Sequence, residues 1–161
     1  MENKSCCFTG HRNIVKKDYE QIFNVTKIII EILIKEKNVL NFKAGGAKGF
    51  DTIASLSIIE LKKIYKDIRL ILVLPCKNQH INWCKKDRWL YNIVLQNADK
   101  IIYISEEYTK SCMLERNDKL LEDSEYCICY LKENSIKSGT LYTVSRAKKN
   151  NLKIYNINKY I

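Results

Sequence analysis

Residues 68–74, Ile68-Arg69-Leu70-Ile71-Leu72-Val73-Leu74, form an almost unbroken apolar run, closed by the only proline of the chain, Pro75. A strand with one wet face alternates polar and apolar residues and cannot carry this pattern. A strand covered on both faces can, and such strands belong to parallel sheets with helices on either side. The segments around the run have the helical period. From about Lys17 to Lys37 the apolar residues Ile22, Val25, Ile29, Ile32 and Leu33 fall on one stripe, and from about Gly49 to Lys66 so do Ile53, Ala54, Leu56, Ile58 and Leu61.

The alternation extends over the whole chain. Ser5–Thr9 and Val39–Phe42 read as the first two strands, ended by Gly10 and by Gly45-Gly46. Lys100–Ile104, Tyr126–Leu131 and Leu152–Ile157 read as the fourth to sixth. Between them lie a loop and helix containing Trp83 and Trp89 that run to about Asn97, a helix from about Met113 to Glu122, and a helix opened by Ser138-Gly139-Thr140 that reaches about Lys149. Strict β–α alternation predicts an α/β fold: a three-layer Rossmann-like domain with a mostly parallel sheet of about six strands and helices on both faces. At 161 residues the chain is expected to be one domain, 1–161, able to bury a core without disulfides. It shows no internal repeat, linker or low-complexity tract.

Composition narrows the setting. Hydrophobic residues make up 46% of the chain, which excludes disorder. No apolar run approaches the ~20 residues that cross a bilayer, so no membrane partner is expected. Met1-Glu2-Asn3-Lys4 leads straight into a strand without the apolar core of a signal peptide, and a cytoplasmic protein is expected. The cysteines number seven, with no CxxC pair, and Cys127 and Cys129 would share one strand face; buried reduced thiols are expected, and no metal site. The net charge of +10 fits either a polyanionic partner or a lysine-rich solvated surface. The basic residues are mostly lysines spread along the chain, as at Lys16-Lys17, Lys62-Lys63, Lys85-Lys86 and Lys148-Lys149, which favours the second.

In sheets of this kind ligands sit beyond the carboxyl ends of the strands, so the residues after each strand carry the chemistry. Gly45-Gly46-Ala47-Lys48-Gly49 is neither GxGxxG nor a Walker A loop. Its glycines permit positive φ and close approach, and its N–H groups with the following helix start form an anion site; a tight strand–helix turn is the other reading. Asp51 then either complements the helix dipole or accepts hydrogen bonds from a ribose. Ser138-Gly139-Thr140 offers a second cradle, with a further hydroxyl at Thr143. Thr9-Gly10-His11-Arg12 makes a third turn, placing an imidazole and a guanidinium at the mouth. Arg116, read as near a helix start and close to solvent, grips phosphate bidentately or pairs on the surface with Glu122 or Asp123. In that position it has few core contacts, and its loss is expected to weaken a ligand without changing stability.

These blocks, in this order, resemble the YpsA-like branch of the SLOG superfamily, which includes the Smf/DprA proteins and the LOG phosphoribohydrolases. Cys6-Cys7-Phe8-Thr9-Gly10-His11-Arg12 is similar to the opening block, and Gly45 to Asp51 to the second, which is also similar to the Gly-rich loop of DprA. Leu74-Pro75-Cys76, Gln79, Trp83, Ala98-Asp99, Tyr108 and Cys112-Met113 with Arg116-Asn117 follow in order. Ser138-Gly139-Thr140 stands where the branch has Gly-Gly-Thr. The resemblance implies a Rossmann-like fold binding a nucleotide or nucleotide-derived ligand, for example of ADP-ribose, NAD or cyclic-nucleotide type. It marks Gly10, Gly45, Gly46, Gly49, Arg116, Gly139 and Thr140 as the pocket, and the turns read above add Thr9, His11, Arg12, Asp51 and Ser138 to the expected phosphate contacts. Base or ribose contacts would come from Pro75, Gln79, Trp83 and Asn117. A homodimer or larger homo-oligomer is the expected assembly.

Two positions depart from the pattern. LOG enzymes pair an arginine with a glutamate inside the last Gly-rich helix; Arg116 matches the first, but the glutamate position falls on Thr143, which cannot act as a carboxylate acid. Lys132 to Lys137 replaces a short Gly-rich run with a more basic segment. The expected function is therefore a non-catalytic binder that senses or sequesters a nucleotide signal, in bacterial or phage defence. A nucleotide N-glycosidase using Asp51 and a DprA-like single-stranded DNA binder are the alternatives; scattered lysines make nucleic acid the weaker partner.

Overall fold

The strands and helices alternate without exception. A computed structural model of the chain describes residues 3–136 and 138–161. In chain order they form β1 (Lys4–Gly10), α1 (Tyr19–Lys37), β2 (Val39–Ala44), α2 (Phe50–Leu61), β3 (Arg69–Leu74), α3 (Lys85–Asn97), β4 (Lys100–Tyr103), α4 (Cys112–Leu121), β5 (Tyr126–Tyr130), α5 (Gly139–Lys149) and β6 (Lys153–Asn156). A 3₁₀ turn (Lys16–Asp18) leads into α1 and another (Ile157–Tyr160) follows β6. The expected α/β, three-layer Rossmann-like architecture is the one observed.

The sheet order is β4-β3-β2-β1-β5-β6, and every neighbouring pair is parallel. The chain builds outward from β1 through β4, crosses back, and lays β5 on the other side of β1. Right-handed crossovers explain the layers that result. Outward steps put α1, α2 and α3 on one face; the return and the step to β6 put α4 and α5 on the other. Alternate residues of β1 serve the two layers. Cys6 and Phe8 face α1–α3, where Phe8 stacks on Phe42 at 6.1 Å and meets Phe50 edge-on at 6.4 Å. Cys7 faces α4 and α5, packed with Cys127, Cys129, Leu120 and Val144.

Several boundaries differ from expectation. β2 runs on to Ala44, because Lys43 keeps its place in the ladder opposite Cys7 and Ile71. α2 stops at Leu61 rather than near Lys66. Lys62 turns its ammonium to Asp99, whose carboxylate also accepts the Leu70 N–H at 2.7 Å, so the chain there is drawn into the entry of β3. Cys84 is exposed, unlike the other six cysteines, which are buried and unbridged as expected. No helix among the described residues is long and apolar enough to cross a membrane. The expected basic segment after β5 ends on Lys137, which lies outside the described residues.

Candidate functional site

Strand order reverses between β1 and β5, and a cavity of about 330 Å³ opens at their carboxyl ends. Its walls are Thr9, Gly10, His11 and Arg12 after β1, Ala47 and Asp51 at the start of α2, Met113, Arg116 and Asn117 on α4, and Ser138, Gly139 and Thr140 heading α5. The three glycine turns therefore do converge. Their roles are not alike.

At the head of α5, Ser138 has extended backbone (φ −148°, ψ 162°) and caps the helix. Its Oγ accepts the Leu141 N–H at 3.1 Å and its carbonyl accepts the Tyr142 N–H at 3.0 Å. Thr143, at 0% exposure, donates its hydroxyl to the Gly139 carbonyl at 2.9 Å, so it is spent inside the helix. The N–H groups of Gly139 and Thr140 have no intrahelical acceptor, being the first two of α5. They stand at the cavity wall with the Thr140 hydroxyl. Such a helix start favours an anion.

The β2–α2 turn uses its amides internally. The Ala47 N–H donates to Asp51 Oδ2 at 3.1 Å, and the Phe50 N–H to the His11 carbonyl at 3.1 Å. Gly46 (φ +70°) and Gly49 (φ +75°) take conformations that side chains resist. A Cβ on Gly46 would lie 2.3 Å from Leu74 Cδ2, and one on Gly49 2.3 Å from the Arg12 carbonyl. Gly45 and Gly46 do not line the cavity; they form the joint behind it.

Arg116 sits mid-helix, not near solvent. It is 5% exposed, on the inward stripe of α4 that runs Cys112, Arg116, Leu120. Its Nη1 donates to the Gly45 carbonyl, and its Nε donates to Asn117 Oδ1 at 2.8 Å. The expectation of few core contacts is corrected: the guanidinium braces the β2–α2 turn, and the surface pair with Glu122 or Asp123 does not form, since Glu122 meets Lys119 instead. The spacing i, i+4, i+8 between two apolar residues is the signal that marks Arg116 as inward-facing.

Asp51, also 5% exposed, is the only carboxylate lining the cavity among the described residues. Burial pushes its carboxyl above the ordinary range, against the weaker pull of Arg116, the Ala47 N–H and Arg12. Burial likewise lowers Arg116, with Asp51 opposing. The two share the cavity, yet no ion pair within 4.0 Å joins them among the described residues. His11 acts as a tie between turns: its Nε2 accepts the Lys132 N–H at 3.0 Å, its backbone N–H donates to the Tyr130 carbonyl, and burial, then the Lys132 charge, lowers its pKa. Arg12 is exposed, with its Nη2 3.8 Å from the Met113 sulfur.

Pro75, Gln79 and Trp83 are not brought to this cavity. Gln79 Nε2 donates to the Gly46 carbonyl at 3.3 Å and to the Tyr91 hydroxyl at 3.2 Å, supporting the turn from behind. Trp83 stands edge-on to Tyr91 at 5.3 Å. Asn117 does line it, with Nδ2 3.6 Å from where a Gly139 Cβ would sit. Among the described residues no group of three or more His, Cys, Asp or Glu is placed to hold a metal.

The sequence profile of YpsA, the YspA SLOG family, matches residues 6–160. The chain belongs to this SLOG family. It is 31% identical over 133 residues to the SPbeta prophage-derived protein YoqJ of Bacillus subtilis (strain 168), covering 75% of this chain and 77% of that one. Among solved structures, DNA processing protein A from Helicobacter pylori, described with its single-stranded DNA binding mode, superposes with a TM-score of 0.64 at 17% identity, over 98% of this chain and 78% of that one. The X-ray structure of TM1055 gives 0.59 at 14%, over 94% and 72%. At these identities the structural likeness shows the fold of the SLOG domain.

Proposed function

We propose that this SLOG domain binds a phosphorylated nucleoside without hydrolysing it, and so senses or sequesters a nucleotide signal. The phosphate lies on the Gly139 and Thr140 N–H groups and the Thr140 hydroxyl, with Arg12 closing over it. The observation that carries the reading is the unspent head of α5, at a cavity that the Arg12 and Arg116 side chains also line. The prophage origin named for the YoqJ relative supports a place in bacterial or phage conflict.

Isothermal titration with AMP tests the binding step. Gly139→Asp puts a carboxylate where the phosphate is proposed to sit, at a helix start where an acid is otherwise favourable. Thermal stability should hold or rise while AMP affinity falls by about a hundredfold, the size of losing two charge-assisted contacts. Unchanged AMP affinity would place the phosphate elsewhere.

The reading without hydrolysis is supported by the carboxylates. Cleavage of an N-glycosidic bond calls on a carboxylate near the ribose, and Asp51 already accepts a backbone N–H within its own turn. Chromatography of AMP, NAD and ADP-ribose after incubation should show no released base. Turnover that Asp51→Asn abolishes would establish an enzyme instead.

A further inference from the structure

A second cavity, of about 670 Å³, adjoins the first, and Arg12 belongs to the walls of both. It lies on the face of α1, α2 and α3. Three outward strand steps place the starts of these helices together at the carboxyl edge of the sheet, and the sequence puts a lysine at each: Lys16 before α1, Lys48 before α2, Lys86 in the first turn of α3. Cations at helix starts oppose the helix dipole, so local folding does not call for them. Only Glu20 and Asp87 answer them within the cavity, and Asp87 already accepts from the Cys84 thiol at 3.2 Å. No ion pair among the described residues engages Arg12, Lys16, Lys48 or Lys86. Asn13, Gly49 and Thr52 complete the polar part of the wall, and its apolar part is Ile14, Leu90 and the ring of Tyr19, which is 38% exposed.

Four unpaired cations around an aromatic and aliphatic wall fit a second nucleoside phosphate. The cavity between β1 and β5 is at the small end of small-molecule sites; the larger one is well within the range. We infer that the second cavity is a subsite for the distal half of a dinucleotide, two nucleosides joined through a diphosphate, with Arg12 astride the linkage. This rests on the assignment of the first phosphate to the head of α5. Tyr19 provides the face on which the distal base stacks, and Lys48 and Lys86 hold the distal phosphate. Binding the second half is then intramolecular, so the two subsites reinforce one another.

Titration calorimetry with AMP, diadenosine diphosphate and an oligothymidylate tests it, on wild type, Gly139→Asp and the double variant Lys48→Gln/Lys86→Gln. Diadenosine diphosphate should bind wild type at least about tenfold tighter than AMP. The double variant should bring it down to the AMP level and leave AMP itself within about twofold. Equal affinity of the two probes for wild type overturns the second subsite, as does a double variant that weakens AMP as much as the dinucleotide. If AMP binds but ignores Gly139→Asp, the first assignment fails; if AMP depends on Gly139 and the dinucleotide gains nothing, only the second subsite fails. Silence from both probes overturns both. An oligothymidylate that binds as tightly as diadenosine diphosphate overturns the assignment to a free dinucleotide in favour of a DNA strand.

Discussion

The glycine turns after β2 and β5 both adjoin the cavity at the β1–β5 switch, and they differ in who needs the glycine. At Gly46 and Gly49 the fold does. Positive φ and a Cβ position 2.3 Å from neighbouring atoms leave no room for anything larger. At Gly139 the fold makes no such demand: φ is not positive, and a Cβ would meet only the Asn117 amide at 3.6 Å. The first turn spends its amides on Asp51 and His11, while the second leaves two at the cavity wall. A glycine required by packing explains itself. A glycine that packing does not require, beside free N–H groups, points outward to a ligand.

Gly46→Val should break this contrast most severely. The side chain would have to enter the volume of Leu74 and Gln79 and hold a conformation that β-branched residues resist. Strain and overpacking together should destabilise by about 3 kcal/mol or more, read as loss of the cooperative transition in thermal denaturation. The damage is to the fold, since Gly46 lies behind the cavity rather than in it.

Arg116→Ala comes next. It strips the Gly45 carbonyl of its donor and leaves Asp51 buried beside a void. An unsatisfied buried carbonyl together with the void left by the side chain should destabilise by about 3 kcal/mol in urea titration. A variant as stable as wild type would show that the guanidinium does not brace the turn.

How far the sequence could carry this comparison depends on what each residue meets. The sheet was legible because its evidence is local: the apolar run at 68–74 and the helical stripes around it each describe a single element. The three glycine turns were legible as positions, since β–α alternation places all of them at one edge. Their inequality was not. Whether Gly46 or Gly139 is needed depends on Leu74 and Asn117, which are distant in the chain. Arg116 read as a residue near solvent because helix starts are often wet; its inward stripe with Cys112 and Leu120 was the available signal. The lysines looked scattered because they are scattered along the chain. Only the crossovers gather Lys16, Lys48 and Lys86 at one cavity.

Gly139→Ala sharpens the contrast from the other side. With space for the methyl group and a helix start that tolerates it, stability should stay within about 0.5 kcal/mol of wild type by thermal melting. AMP affinity should fall, because the methyl stands beside the amides proposed to hold the phosphate. A loss of stability comparable to that of Gly46→Val would erase the difference between the turns.

The smallest expected effect concerns Asp51, the residue that closes the β2–α2 turn. Its carboxyl is raised above the ordinary value of 3.8, first by burial and against the pull of Arg116, the Ala47 N–H and Arg12. The native state therefore holds this proton more tightly than the unfolded chain does. Above the raised native value both states are ionised and the buried charge counts against folding; as pH falls through that value toward 3.8, the native state takes up the proton first and this penalty disappears. Asp51→Asn is neutral throughout, and its amide oxygen can still accept the Ala47 N–H. The variant should thus be modestly more stable than wild type near neutral pH. The difference should shrink as pH drops through that window, measured by urea denaturation of both proteins at matched pH. A difference that grows on acidification would mean that Arg116 outweighs burial and holds Asp51 ionised, making the turn a charge pair rather than a capped joint.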